Sequence, residues 1–177
     1  MTTGTAPLRA DFHMHTWYSR DSLMPPQRLI ERAIQVGLSC IAVTDHNTIE
    51  GALAMQGYTP PITVIIGEEV KSAQGDIIGL FLKETVPPRL SALETVKLIK
   101  GQGGVVSIPH PFDRFRNSVI RPAALMEILP YVDIIEVFNA RNFLLRVWEK
   151  AGQFAKEHGK LAAAGSDSHT PGELGHV

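Results

Sequence analysis

The chain has 177 residues, of which 44% are hydrophobic and 20% are charged, and its net charge is −1 with histidine counted neutral. This length and composition fit a single globular domain over residues 1–177 and exclude a disordered or fibrous chain. The charge gives no global attraction to nucleic acid or anionic membranes, and no apolar run approaches the roughly 18 residues of a membrane helix. One cysteine excludes an internal disulfide. The N-terminal residues show no secretory signal, so a cytoplasmic location is the default expectation.

Short apolar runs of strand length alternate with helical patterns along the chain. The predicted strands are residues 9–13, 40–44, 62–66, 76–82, 104–108, 133–137 and 161–164. The predicted helices are residues 26–36, 48–55, 90–102, 121–128 and 141–158. This alternation favours parallel strands joined by right-handed crossovers, and hence an α/β layered or barrel fold. Only about ten residues separate the third and fourth strands, which is too short for a helical crossover, so this pair is expected to be antiparallel.

Nearly every predicted strand ends in residue types that bind metals. These residues are His13, His15, Asp45, His46, Glu68, Glu69, His110, Glu136, Asn139, Asp167 and His169. Asp76 opens the fourth strand, and an antiparallel direction would bring it to the same end of the sheet. All these groups are then expected to converge on the face where α/β folds place their sites.

The spacing of these residues points to metal ligands. Residues two apart on a strand share a face, so Asp11, His13 and His15 should project together, as should Asp167 and His169. Mixed imidazole and carboxylate ligands suit zinc, manganese or iron better than calcium or magnesium. More than four candidate ligands exceed the need of one tetrahedral zinc, which favours two or three metals. Such clusters activate a bridging water and clamp the oxygens of an ester.

Each motif taken alone also has a purely structural interpretation. A His-x-His pair on a strand is more often structural, the segment 45–48 could cap a helix, and Glu68-Glu69 could form a solvated turn. A structural interpretation does not explain why all these residues fall at the same end of different strands. His158 and His176, which lie outside the pattern, are expected to be surface residues.

Four sequence blocks identify a family resemblance when they are read in order. They are DFHMHTWYSRDS, AVTDHNTIEG, the pair IIGEEV and SIPHPF, and AGSDSH. Between Asp11 and His169 they resemble the polymerase and histidinol phosphatase (PHP) family of metal-dependent phosphoesterases. The resemblance implies a distorted (β/α)7 TIM-like barrel with a two- or three-metal site at the C-terminal ends of its strands. Relatives usually continue after the last motif, so either the barrel is compact here or it lacks its last element.

The resemblance also implies a set of metal ligands. They are His13, His15, Asp21, His46, Glu69, Asp76, His110, Asn139, Asp167 and His169. The family pattern Gly-x-Glu selects Glu69 over Glu68. Asp76 stands where many relatives have histidine, and Asn139 stands where some have cysteine or histidine, so the choice between two and three ions (Zn, Mn or Fe) stays open. Asp45 is expected to act as a supporting or acid/base group.

The expected reaction is hydrolysis of a phosphate ester by a metal-bridging hydroxide. Arg116 and Arg141 follow ligand-bearing strands and are the favoured phosphate-binding residues, ahead of Arg20 and Arg114. The substrate is expected to be a small phosphorylated molecule, a nucleotide or a short oligonucleotide end, with no membrane partner. The oligomeric state is not readable from the sequence.

Two alternatives remain at this point. The first is an amidohydrolase-like enzyme that would cleave a C–N or carboxylic ester bond. Such enzymes often bridge their metals with a carbamylated lysine at a strand end, and Lys71 does not suit this role because it is expected to lie in an outgoing loop. A non-catalytic metal-binding domain with a regulatory role is the other alternative.

Overall fold

Seven strands and five α-helices alternate along the chain in the computed structural model, which describes residues 8–56, 62–142 and 144–175. The strands are β1 (Ala10–Met14), β2 (Cys40–Val43), β3 (Thr63–Ser72), β4 (Gly75–Leu80), β5 (Val105–Ile108), β6 (Ile134–Asn139) and β7 (Leu161–Gly165). The helices are α1 (Pro26–Gln35), α2 (Glu50–Met55), α3 (Ala92–Gly101), α4 (Pro122–Ile128) and α5 (Leu145–Glu157). The α/β prediction is confirmed.

The strands form one sheet in sequence order that curls into a nearly closed barrel. The strands pair in parallel except at β4, which runs antiparallel to both β3 and β5. The expected antiparallel pair is therefore confirmed. Between β1 and the end of β7, the backbone bonds are those from His15 N to Ser168 O (2.9 Å) and from Asp167 N to His13 O (2.7 Å). We call this sparsely bonded boundary the β1–β7 seam.

Apolar side chains fill both the barrel interior and the layers between the barrel and its helices. The interior cluster includes Ala42, Ile65, Ile78, Leu80 and Ile134. A second cluster joins α1 and α2 to the first strands, and a third joins α3, α4 and α5 to the remaining strands. Because the strands are covered on both faces, they appear in the sequence as continuous apolar runs instead of alternating ones.

Strand β3 is longer than predicted, which corrects two expectations. Its first half pairs with β2, and its second half leaves β2 to pair antiparallel with β4. Glu68 and Glu69 therefore lie inside a strand and not in a turn after it. The prediction that Lys71 belongs to the outgoing loop is wrong for the same reason.

Helix α5 begins at Leu145, four residues later than predicted. The preceding residues form a turn, in which Asn142 N donates to Asn139 O at 3.0 Å. The Asn142 side chain closes this turn because its Oδ1 accepts from Leu144 N at 2.9 Å. The turn places Arg141 beside the end of β6.

A β-bulge in β6 determines which of its side chains face inward. The register with β7 shifts between Glu136 and Phe138, so β6 holds one extra residue. In a regular strand Glu136 and Asn139 would face opposite sides because they are three residues apart. After the shift Asn139 Nδ2 lies 3.0 Å from Glu136 Oε2, and Phe138 instead packs against Trp148 of α5.

In the described part of the chain, no helix combines the length and the apolar character that crossing a membrane requires.

Candidate metal centre

Two imidazoles from β1 meet at the carboxyl end of the barrel. His13 Nε2 lies 3.1 Å from His15 Nε2, and each residue is at most 1% exposed. The two-residue spacing along the strand brings the rings together, as the sequence pattern predicts. Two ring nitrogens this close, buried beside carboxylates, are positioned to share a cation.

Glu69 is the common contact of the surrounding histidines. Its Oε1 lies 3.0 Å from His110 Nε2, and its Oε2 lies 3.1 Å from His46 Nδ1. The same Oε2 is 3.4 Å from the Nε2 atoms of both His13 and His15. These distances make Glu69 the central carboxylate of the cluster, in contact with four histidines.

The loop after β7 completes the cluster from the other side of the seam. Asp167 Oδ1 lies 3.4 Å from His15 Nε2. Asp21 comes from the loop after β1, and its Oδ2 lies 3.4 Å from His46 Nε2 and 3.6 Å from His169 Nε2. Asp21 is more than half exposed, so it marks the solvent side of the cluster.

The donor atoms form three overlapping groups whose members lie within 4.8 Å of one another. The groups are His13–His15–Asp167, His13–Glu69–His110 and His15–His46–His169. Imidazole and carboxylate donors of this kind match zinc, manganese or iron. Because His13 and His15 each belong to two groups, the residues present fit a cluster of divalent ions.

The other two predicted ligands lie at the edge of this cluster. Asp76 lines the same cleft, and burial together with the charge of Glu69 raises the pKa of Asp76 to about 6. Asn139 Nδ2 donates to Glu136 Oε2 at 3.0 Å and to Asp167 Oδ2 at 3.2 Å, while its Oδ1 accepts a backbone N–H. The Asn139 side chain therefore donates to two carboxylates of the cluster.

Glu136 is a buried partner of the cluster that the predicted ligand set omits. Its Oε1 lies 2.9 Å from His13 Nδ1, and its Oε2 accepts the backbone N–H of His110. A carboxylate behind a histidine fixes the ring tautomer and leaves Nε2 free to bind a metal. Gly165 makes room for this contact, since a Cβ there would lie 2.2 Å from Glu136 Oε1. The available sequence signal was the position of Glu136 at a strand end.

Burial and charge give His13 and His15 opposite properties. Burial lowers the pKa of His15 to about 4 although Asp167 and Glu69 oppose this change. For His13 the carboxylates of Asp167, Glu136 and Glu69 outweigh burial and raise the pKa well above its usual value. Burial raises the pKa of Glu69 and Asp167, but their imidazole neighbours outweigh it and hold the pKa of both well below the usual range. The cluster thus offers ionised carboxylates beside a neutral imidazole.

Asp45, the predicted acid/base group, is fully buried and does not line the cleft. Its carboxylate accepts from Thr16 N at 2.7 Å, from Thr16 Oγ1 at 2.6 Å and from Ser19 Oγ at 2.6 Å. Ser19 Oγ in turn accepts from His46 N at 3.0 Å. Asp45 therefore braces the loop after β1 against the start of the His46 segment.

Asp11 supports the backbone beneath the cluster. Its Oδ1 accepts from His13 N at 3.2 Å and from Ser166 N at 3.0 Å. These two amides lie on opposite sides of the β1–β7 seam. Burial raises the pKa of Asp11 to about 6, although hydrogen bonds from Ser166 and His13 oppose the change.

The cluster lies at the floor of a cleft of about 480 Å³ whose wall includes Arg116 and Arg141. Arg116 Nη1 lies 2.7 Å from Asp167 Oδ2, and its Nε lies 3.3 Å from Asp113 Oδ2. Arg141 is exposed, and its Nη1 lies 2.8 Å from His169 Nδ1. Arg116 thus holds a cluster carboxylate, and Arg141 is the more accessible cation.

The other two predicted arginines lie elsewhere. Arg20 lines a neighbouring cavity that shares Asp21 and His46 with the cleft. Arg114 lines a separate cavity beside the start of α4. Neither contributes to the wall of the metal cleft.

Three of the six non-glycine residues with positive φ in the described part of the chain lie at strand ends that carry the cluster. Asn47, His110 and Asp167 have φ values of 56°, 32° and 52°, in the left-handed region that non-glycine residues rarely adopt. Such conformations persist where the surroundings impose them, and functional sites are the usual places. Here they turn the chain sharply after β2, β5 and β7.

Two uncharacterised proteins of Methanocaldococcus jannaschii are related to this chain. One is 35% identical over 145 residues, covering 75% of this chain and 82% of that protein. The other is 32% identical over 173 residues, covering 96% of this chain and 69% of that protein.

Solved structures share the fold at lower sequence identity. A proposed metal-dependent phosphoesterase from Bifidobacterium adolescentis has a TM-score of 0.74 and 18% identity, covering 94% of this chain and 90% of that one. An amidohydrolase from Chromobacterium violaceum, solved with bound sulfate and no metal, has a TM-score of 0.75 and 20% identity, covering 93% and 89% of the two chains. At these identities the likeness shows the fold, a distorted TIM-like barrel.

The family assignment follows from the match to family models. The PHP domain matches residues 11–145, and a PHP-associated segment matches residues 148–177. The first match spans all the ligand motifs except the last pair, which falls in the second. The chain therefore belongs to the PHP family.

Proposed function

We propose that this protein is a metal-dependent phosphoesterase that hydrolyses a phosphate ester of a small molecule, a nucleotide or a short oligonucleotide end. The observation that carries the proposal is the buried imidazole–carboxylate cluster at the floor of a cleft whose wall presents Arg141 and Arg116. Metal ions at the floor of the cleft and guanidinium groups on its wall would surround a bound phosphate dianion with positive charge.

The proposed site holds two or three divalent ions of zinc, manganese or iron. Their proposed ligands are His13, His15, Asp21, His46, Glu69, His110, Asp167 and His169, with Asp76 at the edge. When bound, these ions supply an activated water near neutral pH and neutralise the phosphate oxygens. In this proposal Asn139 acts by orienting two carboxylates, because its amide donates to both.

Several side chains prepare the site before any substrate enters. Glu69 and Asp167 stay ionised, because the low pKa of each excludes protonation near neutral pH. His15 stays neutral, so a lone pair on its ring is available to a cation. Glu136 holds the His13 ring from behind. We assign no proton transfer to Asp45, because its carboxylate is enclosed by the Thr16 and Ser19 hydrogen bonds.

The two arginines are proposed to divide the recognition of phosphate. Arg116 is anchored by two acids, which keeps its guanidinium at a fixed position on the cleft wall. Arg141 is exposed and is the residue proposed to contact the substrate directly. A guanidinium matches phosphate oxygens with paired N–H donors.

A screen of the metal-reconstituted protein tests this function. The purified chain is loaded with Mn²⁺ or Zn²⁺ and assayed with an aryl phosphate and an aryl carboxylic ester. We expect turnover of the phosphate, and a loss of at least about 100-fold in His15→Ala, because a ligand shared by two donor groups is removed.

The same screen separates the alternatives. Ester turnover without phosphatase activity would replace the proposal with an amidohydrolase-like function. Tight metal binding without turnover of phosphates, nucleotides or sugar phosphates would favour a non-catalytic metal-binding domain.

A further inference from the structure

A second cavity, of about 900 Å³, adjoins the metal cleft on the side of β3. Its wall carries Arg20 from the loop after β1, Lys71 from β3 and Arg89 from the chain before α3, and we call it the basic cavity. The proposed function uses none of these three side chains. Lys71 also lines the metal cleft, so the two spaces adjoin at its side chain.

The three cations of the basic cavity have no acidic partners. Arg20, Lys71 and Arg89 are all exposed, and none of them forms an ion pair within the described part of the chain. Like charges that share a cavity repel one another. A bound anion would replace this repulsion with attraction, so the wall is suited to an anionic ligand.

The two acids on the wall of the basic cavity also line the metal cleft. Asp21 Oδ2 lies 3.4 Å from His46 Nε2 and 3.6 Å from His169 Nε2. Asp76 is buried. Both acids are proposed metal ligands, so their negative charge is assigned to the metal ions. The three cations therefore keep their charge available for a ligand in the cavity.

Backbone hydrogen bonds hold Lys71 and Arg89 side by side. Arg89 N donates to Lys71 O at 2.8 Å, and Lys71 N donates to Asn47 Oδ1 at 2.8 Å. Arg89 follows two prolines and has a φ of 67°, in the left-handed region that non-glycine residues rarely adopt. Such a conformation persists where the surroundings impose it. The backbone that carries these two cations is therefore fixed beside the cleft.

Lys71 stands between the two spaces on the strand that carries Glu69. Residues two apart on a strand share a face, and both side chains line the metal cleft. An anion near Glu69 and the metal ions would lie on one side of Lys71. A second anion in the basic cavity would lie on its other side. A molecule with two acidic groups has this build.

We infer that the basic cavity binds a second acidic group, a phosphate or a carboxylate, of the molecule whose phosphate ester lies in the metal cleft. The inference deepens the proposed function and rests on it for the position of the ester. It narrows the substrate class to phosphate esters that carry another acidic group, with Arg20, Lys71 and Arg89 as the residues that determine this specificity.

Phosphonates that cannot be hydrolysed test the binding step without any reaction. The protein is loaded with Mn²⁺ or Zn²⁺, freed of excess metal and titrated by calorimetry with three ligands of equal chain length. They are an alkylphosphonate, a phosphonoalkanoate with a terminal carboxylate, and an alkane bisphosphonate. A series of increasing chain length covers the distance across Lys71. We expect the second acidic group to lower the Kd at least about tenfold at the best length.

Matched variants locate the second acidic group. Arg89→Gln and Arg20→Gln each remove a cation that lines the basic cavity and not the metal cleft. In each variant the gain in affinity from the second acidic group should shrink about threefold or more, as for the loss of an exposed ion pair. Arg146→Gln removes an exposed cation of α5 outside both spaces and should keep the gain.

Two results would overturn the inference. One is a second acidic group that brings no gain in affinity at any chain length. The other is a gain that is equal in the wild type, Arg89→Gln and Arg20→Gln. Because the two variants lie in different loops, either one tests the cavity if the other fails to fold.

The outcomes also separate this inference from the proposed function. Phosphate esters of the same alkyl chains, with and without the second acidic group, are compared by kcat/KM, which should be about tenfold higher with it. A gain in phosphonate affinity that depends on Arg89 and Arg20, without phosphatase activity, would reject the function and keep the cavity as an anion site. Phosphatase activity that is equal on both esters, with no gain in phosphonate affinity, would keep the function and reject the inference.

Discussion

Glu136 joins three parts of the metal centre from beneath the candidate ligands. Its two oxygens contact His13 Nδ1, the backbone of His110 and Asn139 Nδ2. The carboxylate therefore joins β1, β5 and β6 beneath the donor atoms. A residue in this position acts on metal affinity through the orientation of the ligands it holds.

Glu136→Gln should weaken metal binding about 10- to 100-fold while the fold persists. The NH₂ of glutamine would face either the donors His110 N and Asn139 Nδ2 or the ring nitrogen His13 Nδ1. In the second case His13 Nδ1 would have to accept, which moves the ring proton to Nε2 and blocks the nitrogen that faces the cluster. The measurement is calorimetric titration of the metal-free protein with Mn²⁺ or Zn²⁺. Glu149→Gln, an exposed position on α5, is the matched control. An unchanged Kd in Glu136→Gln would show that the contact does not support the site.

Glu68 is a buried carboxyl that the site does not use. It is fully buried, its Oε2 accepts from Val86 N at 2.8 Å, and its Oε1 has no partner among the described residues. Burial raises its pKa from 4.5 to about 7, although the hydrogen bond from Val86 opposes the change. A raised pKa means that the folded state holds the proton more tightly than the unfolded state.

The contribution of Glu68 to stability is therefore full below about pH 4.5 and is lost as pH rises through about 7. Glutamine does not titrate, so Glu68→Gln should not show this loss of stability with rising pH. From pH 5 to pH 9 the wild type should lose about 1–3 kcal/mol more free energy of unfolding than the variant. Urea denaturation at both pH values, with a chelator present, measures the difference. Parallel curves for the two proteins would contradict the assignment.

At the residue scale, the sequence predicted most of the histidine and carboxylate cluster. His-x-His spacing on a strand is local geometry, and local geometry is readable from sequence. The roles of Glu136 and Asn139 were not readable, because a bulge changes which side each one faces. Asp45 was likewise placed at the correct strand end, but the hydroxyls of Thr16 and Ser19 enclose it, and these contacts arise only in the folded chain.

At the scale of single elements, the packing of α2 against the site restricts which residue can stand at one of its positions. Gly51 lies inside this helix, where glycine is a poor choice by helix propensity. The structure gives the reason, because a Cβ at Gly51 would lie 1.9 Å from Asp45 Oδ2 and 2.4 Å from Thr16 Oγ1. The hydrogen-bonded side chains of Asp45 and Thr16 therefore leave no room at this position of α2 for any side chain.

Gly51→Ala should destabilise the protein by about 2–4 kcal/mol, although alanine favours helices. The control is Gly152→Ala in α5, where a Cβ meets no atom within 4 Å. That change should stabilise the protein by about 0.5–1 kcal/mol. Thermal or urea unfolding of both variants measures the contrast. A stabilised Gly51→Ala would show that the brace can move aside at little cost.

Apolar periodicity in the sequence predicted the number and order of the helices and strands, but not the residues at which they begin and end. Strand β3 continues through Glu68 and Glu69 because β4 supplies a new partner. A run of polar residues in a sequence does not reveal a strand that changes partners halfway along. The start of α5 was misplaced because Asn142 closes a turn with its side chain.

The whole barrel is left unsealed at the β1–β7 seam, and the candidate ligands lie on both sides of it. His13 and His15 come from β1, while Asp167 and His169 follow β7. Metal ions held by both pairs would join the two edges. Binding to the folded state alone adds about 2.7 kcal/mol when the free metal is 100 times its Kd.

Removal of the metal should therefore open the seam before the rest of the barrel. Chelation is expected to lower the Tm and to speed hydrogen exchange at the His15 and Asp167 amides, which bond across the seam. The amides of Val70 and Ile77, between the continuously paired β3 and β4, should change much less. Exchange followed by mass spectrometry or NMR, with and without chelator, measures this. If the chelator accelerates exchange equally at the seam amides and at Val70 and Ile77, the metal does not act mainly on the seam.

The seam also affects the order of events during synthesis. The His13 and His15 side of the centre leaves the ribosome first, and the Asp167 and His169 side follows later. At ordinary rates of translation these two halves are separated by roughly ten seconds. During that time the nascent chain offers an incomplete and flexible donor set, which discriminates poorly among metals. We therefore expect the choice of metal to be made after translation, by the finished barrel and the free ions present when the seam closes.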